Sequence, residues 1–145
     1  MAASRAPRGP VVVGGRPRPL PDRTVRRVVQ GVLRGERRDA VVSVTFLGRD
    51  AMRRLNAAHR RRDRPTDVLA FALTGPGGAL AGDLYLCPWV AAREAAARGI
   101  PARQELVRLL VHGTLHLLGW DHPEDDGRTR SPMWRRQERY VAALG

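Results

Sequence analysis

The spacing of apolar side chains along the chain predicts alternating helices and strands. From residue 24 they recur at i, i+3, i+4, i+7 and i+8, the pattern of an amphipathic helix, at Val25, Val28, Val29, Val32 and Leu33. Asp22 is the expected cap of this helix. The β-branched segment 40–47 then predicts a strand, and Asp50 is the expected cap of a short helix that continues to about Ala58.

The middle of the chain predicts a β-hairpin. A charged loop over residues 59–65 is followed by a predicted strand at 67–73. Residues 74–78 contain the Gly and Pro of a turn, and a further strand is expected at 82–87. Two neighbouring antiparallel strands are the simplest arrangement of these segments.

The last third predicts three helices. Pro88 opens an Ala-rich helix that ends near Gly99, and Pro101 suits the first turn of the next one. We expect this second helix to be the most buried, with Gly119 as its C-terminal cap, because its apolar side carries Leu106, Leu109, Leu110, Gly113 and Leu117. A final helix is expected from Met133, Trp134, Tyr140, Val141 and Leu144.

These elements predict an α+β fold, with a small mixed sheet of about four strands packed with about five helices. Residues 1–21 form a basic Pro/Gly-rich arm in which only Val11–Val13 suit a strand, at a sheet edge. Residues 22–145 are expected to form one domain, which fits a chain of 145 residues.

The net charge of the chain indicates which kinds of partner it could bind. The chain has 26 basic residues, all Arg, against 14 acidic ones, a net charge of +12. Such a field favours a polyanion, either nucleic acid or an anionic membrane surface. Arg and Ala are both abundant, however, and a compositional bias of the source genome produces the same charge without selection for binding.

The sequence disfavours a membrane-spanning protein and a secreted one. No apolar run approaches the roughly 20 residues of a membrane-spanning helix, and the basic N-terminus is followed by no hydrophobic signal core. The single Cys87 cannot pair within the chain, which argues for a reducing compartment and a cytoplasmic location. We expect Cys87 to be a buried small apolar residue rather than a reactive thiol.

Three of the four histidines lie within the segment HGTLHLLGWDH. His112 and His116 are four residues apart on a predicted helix, so both rings project from one face. Gly119 permits a sharp turn that returns His122 towards them. Three imidazoles suit one zinc ion and leave an open position for water or substrate, the pattern of a catalytic site.

Two other interpretations of these histidines stay open. A zinc ion completed by Cys87 or an acid would be structural. The spacing also equals that of the metalloprotease signature H-E-x-x-H-x-x-G-x-x-H, but Gly113 stands where those peptidases carry the Glu that acts as general base. Peptide hydrolysis by that route lacks its proton acceptor.

Several motifs together resemble the YbeY family of endoribonucleases and rRNA maturation factors. HGTLHLLGWDH resembles its H-G-x-L-H-L-x-G-[YW]-D-H signature, and Gly82-Asp83-Leu84 resembles its G-D-[IL] strand. Upstream, Leu55-Asn56, Arg60 and residues 65–69 resemble its LN…R…PTDVLSF stretch; downstream, Met133 and Gln137-Glu138 resemble its closing helix. His59, Ala70 and Ala72 depart from the family pattern.

The resemblance implies a zincin-like domain with its metal site at the end of the most buried helix. It implies a zinc-dependent, single-strand-specific endoribonuclease, acting in small-subunit rRNA 3′-end maturation and ribosome quality control, with rRNA and the small ribosomal subunit as partners and no membrane. By carry-over, one zinc ion per chain is held by His112, His116 and His122. Arg60 and His112 are the expected catalytic residues.

The residues themselves add further candidates. Arg60, with Arg61, Arg62 and Arg64, forms a basic loop suited to phosphate contact. Asp67 and Asp121 either orient a histidine or serve only the local chain. Trp89, Trp120 and Trp134 could each stack one unpaired base, although we expect at least two of them to pack against the domain.

Three functions therefore remain to be separated. They are a zinc endoribonuclease, another zinc hydrolase such as a peptidase, and a non-catalytic ribosome-assembly factor with structural zinc.

Overall fold

The computed structural model of the chain describes residues 9–74, 80–123 and 126–145. Its strands are β1 (Val11–Gly15), β2 (Val41–Phe46), β3 (Val68–Thr74) and β4 (Leu80–Leu86). Its helices are α1 (Asp22–Glu36), α2 (Arg49–Arg60), α3 (Pro88–Arg98), α4 (Ala102–Leu117) and α5 (Pro132–Leu144), with a short 3-10 helix at Asp126–Arg130. Residues 1–8 of the predicted arm and 75–78 of the predicted turn lie outside the described residues.

The four strands form one mixed sheet in the order β1-β2-β4-β3. β1 and β4 each pair with β2 in parallel, whereas β3 pairs with β4 as the predicted antiparallel hairpin. The described residues thus confirm the predicted α+β fold of four strands and five helices.

The larger core lies between one face of the sheet and helices α1 and α4. Val42, Val44 and Phe46 alternate along β2 and are fully buried, as expected of a strand with one face on the core. Helix α4 is the most buried helix, because 12 of its 16 residues are buried. It contacts α1, α3 and α5 as well as β3 and β4.

A smaller apolar cluster lies between α2 and the opposite face of the sheet. Met52 of α2 packs there with Leu69 of β3 and Cys87, which is fully buried as predicted. Leu69 and Val68 alternate between the two clusters, since successive strand residues point to opposite faces. Helix α2 is thereby fixed against the sheet.

The segment before α1 joins the domain within the described residues. Val11, Val13 and Leu20 are buried in the larger core, and β1 forms an edge of the sheet. The boundary at residue 21 stays a prediction. No helix in the described part of the chain is long and apolar enough to cross a membrane.

Three local predictions are wrong. Pro21 and Gly48 occupy the N-cap positions of α1 and α2, and Asp22 and Asp50 lie inside the first turns, where a carboxylate favours the positive end of the helix. His59 and Arg60 belong to the last turn of α2 rather than to a loop. The chain leaves the helix at Arg61, which adopts a left-handed conformation.

Candidate metal centre

The end of α4 brings the three histidines together. Gly119 has a φ of +99°, and the Gly119 and Trp120 amides donate to the carbonyls of His116 and Leu115. These two bonds form a Schellman motif, which reverses the chain after a helix. The predicted role of Gly119 as cap is confirmed, and the turn returns His122 to the rings that precede it.

The three rings form a compact triangle. Ring centroids are 4.6 Å apart for His112 and His116, 5.0 Å for His112 and His122, and 5.0 Å for His116 and His122. One nitrogen from each ring lies within 4.8 Å of the other two. Neither Cys87 nor an acidic residue of the described chain joins this group. Three imidazole nitrogens are a donor set that fits zinc.

Hydrogen bonds fix the tautomers of two of the rings. His112 Nδ1 lies 2.6 Å from Gln137 Oε1, and His122 Nδ1 lies 2.8 Å from the Pro123 carbonyl oxygen. Both oxygens only accept, so each Nδ1 carries the proton and donates it. The lone pair is then on Nε2 of both rings, which is the atom left for a metal.

Gln137 is held in turn by a charged network. Its Nε2 donates to Glu138 at 3.0 Å, which directs the amide oxygen towards His112. Arg108 binds both oxygens of Glu138 at 2.8 Å and also contacts Glu105, which pairs with Arg98. The orientation of one imidazole therefore depends on ion pairs between α4 and α5.

Two of the histidines, His112 and His116, are kept neutral. Burial lowers the pKa of His112 to about 3, although the hydrogen bond to Gln137 opposes the change. Burial also lowers the pKa of His116; the nearby His122 adds to this effect and Asp121 opposes it. Neutral imidazole is the form that binds a metal. Both rings are ready to ligate at pH 7 without losing a proton.

The histidine triangle lies in a cleft of about 490 Å³. Arg60 and Arg62 line it from the side of α2, and Arg128 lines it from the 3-10 helix. Arg61 and Arg64, also predicted to bind substrate, are not among its lining residues. Ala70, Ala72 and Gly113 complete the wall beside the sheet.

The two acidic candidates differ in their contacts. The Asp67 carboxylate accepts from its neighbours, the Val68 amide at 2.7 Å and the Thr66 hydroxyl at 3.4 Å, so it serves the start of β3. Asp121 is highly exposed and lies 4.0 Å from His116 Nδ1, beyond hydrogen-bond distance. Both nevertheless line the cleft.

Gly113 has a packing role that its sequence position did not reveal. A Cβ there would approach Leu84 Cδ2 to 2.8 Å, so α4 sits closely on β4 at this point. A longer side chain requires the helix or Leu84 to move. At the position where zinc peptidases carry their Glu, this chain therefore has a glycine that allows α4 to pack closely on β4.

Sequence reasoning assigned no role to three residues that shape the site. Gln137 orients His112; the resemblance of its helix to a family motif was its only signal. Buried Asn56 donates to the Arg64 carbonyl at 2.8 Å and holds the loop that carries Arg62. Arg128 is half-buried and its Nε has no hydrogen-bond partner in the described structure. Apolar periodicity gives no signal for polar residues of this kind.

The chain is similar to known proteins in both sequence and fold. The family model described as "Endoribonuclease YbeY" matches residues 18–145. A protein of that name from Halorhodospira halophila is 39% identical over 127 residues, covering 83% of this chain and 81% of the relative. One from Aromatoleum aromaticum is 41% identical over 121 residues, covering 83% and 75%. A solution structure from Thermotoga maritima superposes with a TM-score of 0.66 at 28% identity, covering 92% of this chain and 88% of the other.

Proposed function

The chain belongs to the endoribonuclease YbeY family, and from this membership we propose that it cleaves single-stranded RNA with the help of one zinc ion. The substrate we assign is ribosomal RNA, at the 3′ end of the small-subunit RNA, with a further part in ribosome quality control. A cytoplasmic location goes with this role and with the single, buried Cys87.

One observation carries the proposal. His112, His116 and His122 converge in a cleft, and His112 and His122 have their Nδ1 atoms engaged, so that Nε2 is free. We assign all three as zinc ligands. A bound zinc ion supplies a Lewis acid, which stabilises charge developing on a phosphodiester and makes water more acidic.

We assign binding of the phosphodiester to the arginines of the cleft. Arg60 and Arg62 line the cleft from the end of α2 and the loop after it, and Arg128 lines it from the 3-10 helix, so guanidinium groups from separate parts of the chain are available to a phosphodiester in the cleft. A planar guanidinium matches phosphate oxygens with paired hydrogen bonds and stays charged at all relevant pH values. We assign Arg60 to binding the reacting phosphate. Asp67 and Asp121 remain candidates for orienting the site.

The direct test compares cleavage of an unstructured RNA by matched variants. We expect His112→Ala to lose zinc and cleavage together, and Arg60→Ala to keep its zinc while cleavage falls by about a hundredfold or more, since Arg60 binds the reacting group. Arg139→Ala, an exposed arginine on α5, controls for loss of charge. Full cleavage by Arg60→Ala protein removes the role given to Arg60.

The same assay separates the other two functions. Zinc-dependent turnover of peptides, with none of RNA, would mean a peptidase. Tight RNA binding without cleavage, together with unfolding when zinc is chelated, would mean an assembly factor with structural zinc. The chemical ends of the RNA products identify the nucleophile, because a cyclic phosphate marks attack by the 2′-hydroxyl of the RNA, whereas a 5′-phosphate together with a 3′-hydroxyl marks attack by water.

A further inference from the structure

An exposed tryptophan lies outside the histidine cleft, at the start of α3. Trp89 is 43% exposed and is the only tryptophan among the exposed large apolar side chains of the described residues. Trp120, by contrast, is half-buried and its indole N–H donates to Glu36 at 3.0 Å. An exposed indole presents a large, flat aromatic surface on which a planar ligand can stack.

Arginines surround this indole. The guanidinium carbons of Arg49 and Arg93 lie 5.4 and 4.7 Å from the centroid of the Trp89 ring. Next to the ring is a hollow of about 510 Å³, lined by Trp89, Pro65, Asp50 and three arginines of α2: Arg49, Arg53 and Arg54. Asp50 pairs with Arg49, and Asp63 pairs with Arg53 at 3.5 Å, both at the exposed surface. The lining keeps an excess of positive charge.

The hollow and the histidine cleft lie next to each other along α2. Helix α2 begins beside Trp89 with Arg49 and ends in the cleft with Arg60, a distance of about 16 Å along the axis. The loop after α2 separates the two spaces, because Pro65 lines the hollow whereas Thr66 lines the cleft. A single-stranded RNA that leaves the cleft along α2 would reach Trp89 within a few nucleotides.

We propose that Trp89 and the arginines of this hollow form a second RNA subsite, in which an unpaired base stacks on the indole and the flanking phosphates contact Arg53 and Arg54. The inference rests on the proposed function, since it extends the path of the same RNA. Base stacking on an aromatic ring is tolerant of sequence, and alternating aromatic and basic groups are the pattern of single-strand binding. The exposed guanidiniums of Arg49 and Arg93 can leave the Trp89 ring and bind phosphate instead, which frees the ring for a base.

The test measures binding of fluorescent unstructured RNAs to the 145-residue chain with its zinc bound. The RNAs carry 2′-O-methyl riboses and phosphorothioate linkages, so that they resist cleavage. Trp89→Ala should weaken binding of an RNA of about 12 nucleotides by about tenfold, and should reduce the gain in affinity over one of about 4 nucleotides. Trp89→Phe, which keeps a ring, should stay within about threefold of wild type. Arg54→Gln should weaken the long RNA more than Arg139→Gln does.

The outcomes separate this subsite from the function itself. Wild-type protein that neither binds nor cleaves RNA overturns the proposed function. Wild-type protein that cleaves RNA, with Trp89→Ala equal to it on the long RNA, overturns the subsite alone. Equal losses in Trp89→Ala and Trp89→Phe, or equal losses on long and short RNA, also overturn it. Unchanged thermal unfolding of the variants shows that the fold is intact.

Discussion

At the scale of single residues, the site depends on which imidazole nitrogen carries the proton. The 3.6-residue helical repeat was enough to predict that His112 and His116 share a face, and Gly119 was enough to predict the return of His122. The partner of His112 could not be predicted, because Gln137 lies 25 residues away on another helix. Only the packing of α5 on α4 brings these side chains together.

The first prediction concerns Gln137. Gln137→Leu keeps the volume but leaves His112 Nδ1 without its acceptor, so we expect zinc affinity to fall by about tenfold to a hundredfold. Competition with a chromophoric chelator measures this. Gln137→Glu keeps the acceptor for His112 but loses the donor to Glu138, so it should retain more zinc affinity than the Leu variant and less than wild type. Equal zinc affinity in the Leu variant and wild type would show that the hydrogen bond does not orient the ligand.

At the scale of elements, the chain folds as its apolar spacing predicts, and errors fall where that spacing is silent. The buried stripe of α1 and the alternation of β2 both carry strong periodic signals. Helix ends do not: an acidic residue near a helix start suits both the cap and the first turn, so Asp22 and Asp50 were misplaced. His59 and Arg60 are exposed, and so no apolar pattern showed that α2 extends to them.

The turn after α4 leads to the second prediction. Gly119→Ala forces a residue with a Cβ to keep a φ of +99°, so we expect a loss of about 1–2 kcal/mol in the free energy of unfolding. Zinc affinity should fall too, because the same turn places His122. Gly99 closes α3 with the same kind of turn away from the histidines. Gly99→Ala should lose stability alone, and an equal loss of zinc affinity in both variants would contradict this account.

The contact between α1 and α5 leads to the third prediction. Burial would raise the pKa of Glu36, but hydrogen bonds from Tyr140, Arg136 and Trp120 outweigh it and lower the pKa below 4.5. The folded state therefore binds this proton less readily than the unfolded chain does. Its contribution to stability is present above pH 4.5 and is lost as the pH falls through the folded pKa.

Glu36→Gln removes that contribution. We expect a loss of about 2 kcal/mol in the free energy of unfolding at pH 7, with a smaller difference from wild type below pH 4. Urea unfolding across this pH range measures both. A constant difference between the two proteins at every pH would show that the carboxylate charge is not what joins α1 to α5.

At the scale of the whole molecule, the net charge of +12 could not by itself reveal a binding site. Arginines lie on several helices of the domain, and among the described residues three of them line the cleft: Arg60, Arg62 and Arg128. The fold decides which charges converge, and Arg61 and Arg64 show that neighbours in sequence can lie outside the cleft. In the proposed function, the net positive charge attracts RNA and the arginines of the cleft bind the reacting phosphate.

The fourth prediction follows from counterion release. RNA affinity should fall steeply with salt, and Arg62→Gln should reduce the slope of log affinity against log salt by about 0.7, as expected for one lost phosphate contact on a single strand. Arg103→Gln removes an exposed charge outside the cleft and should change the slope less. A slope unchanged by Arg62→Gln, in metal-free protein at several salt concentrations, would exclude that contact.

The most direct measurement is a zinc titration of RNA cleavage. Protein stripped of metal should be inactive on single-stranded RNA, and activity should rise linearly until one zinc ion is bound per chain. His116→Ala protein should neither bind zinc tightly nor recover activity over the same titration. Cleavage by the metal-free protein, or full recovery by His116→Ala, would contradict a reaction that depends on zinc held by these three histidines.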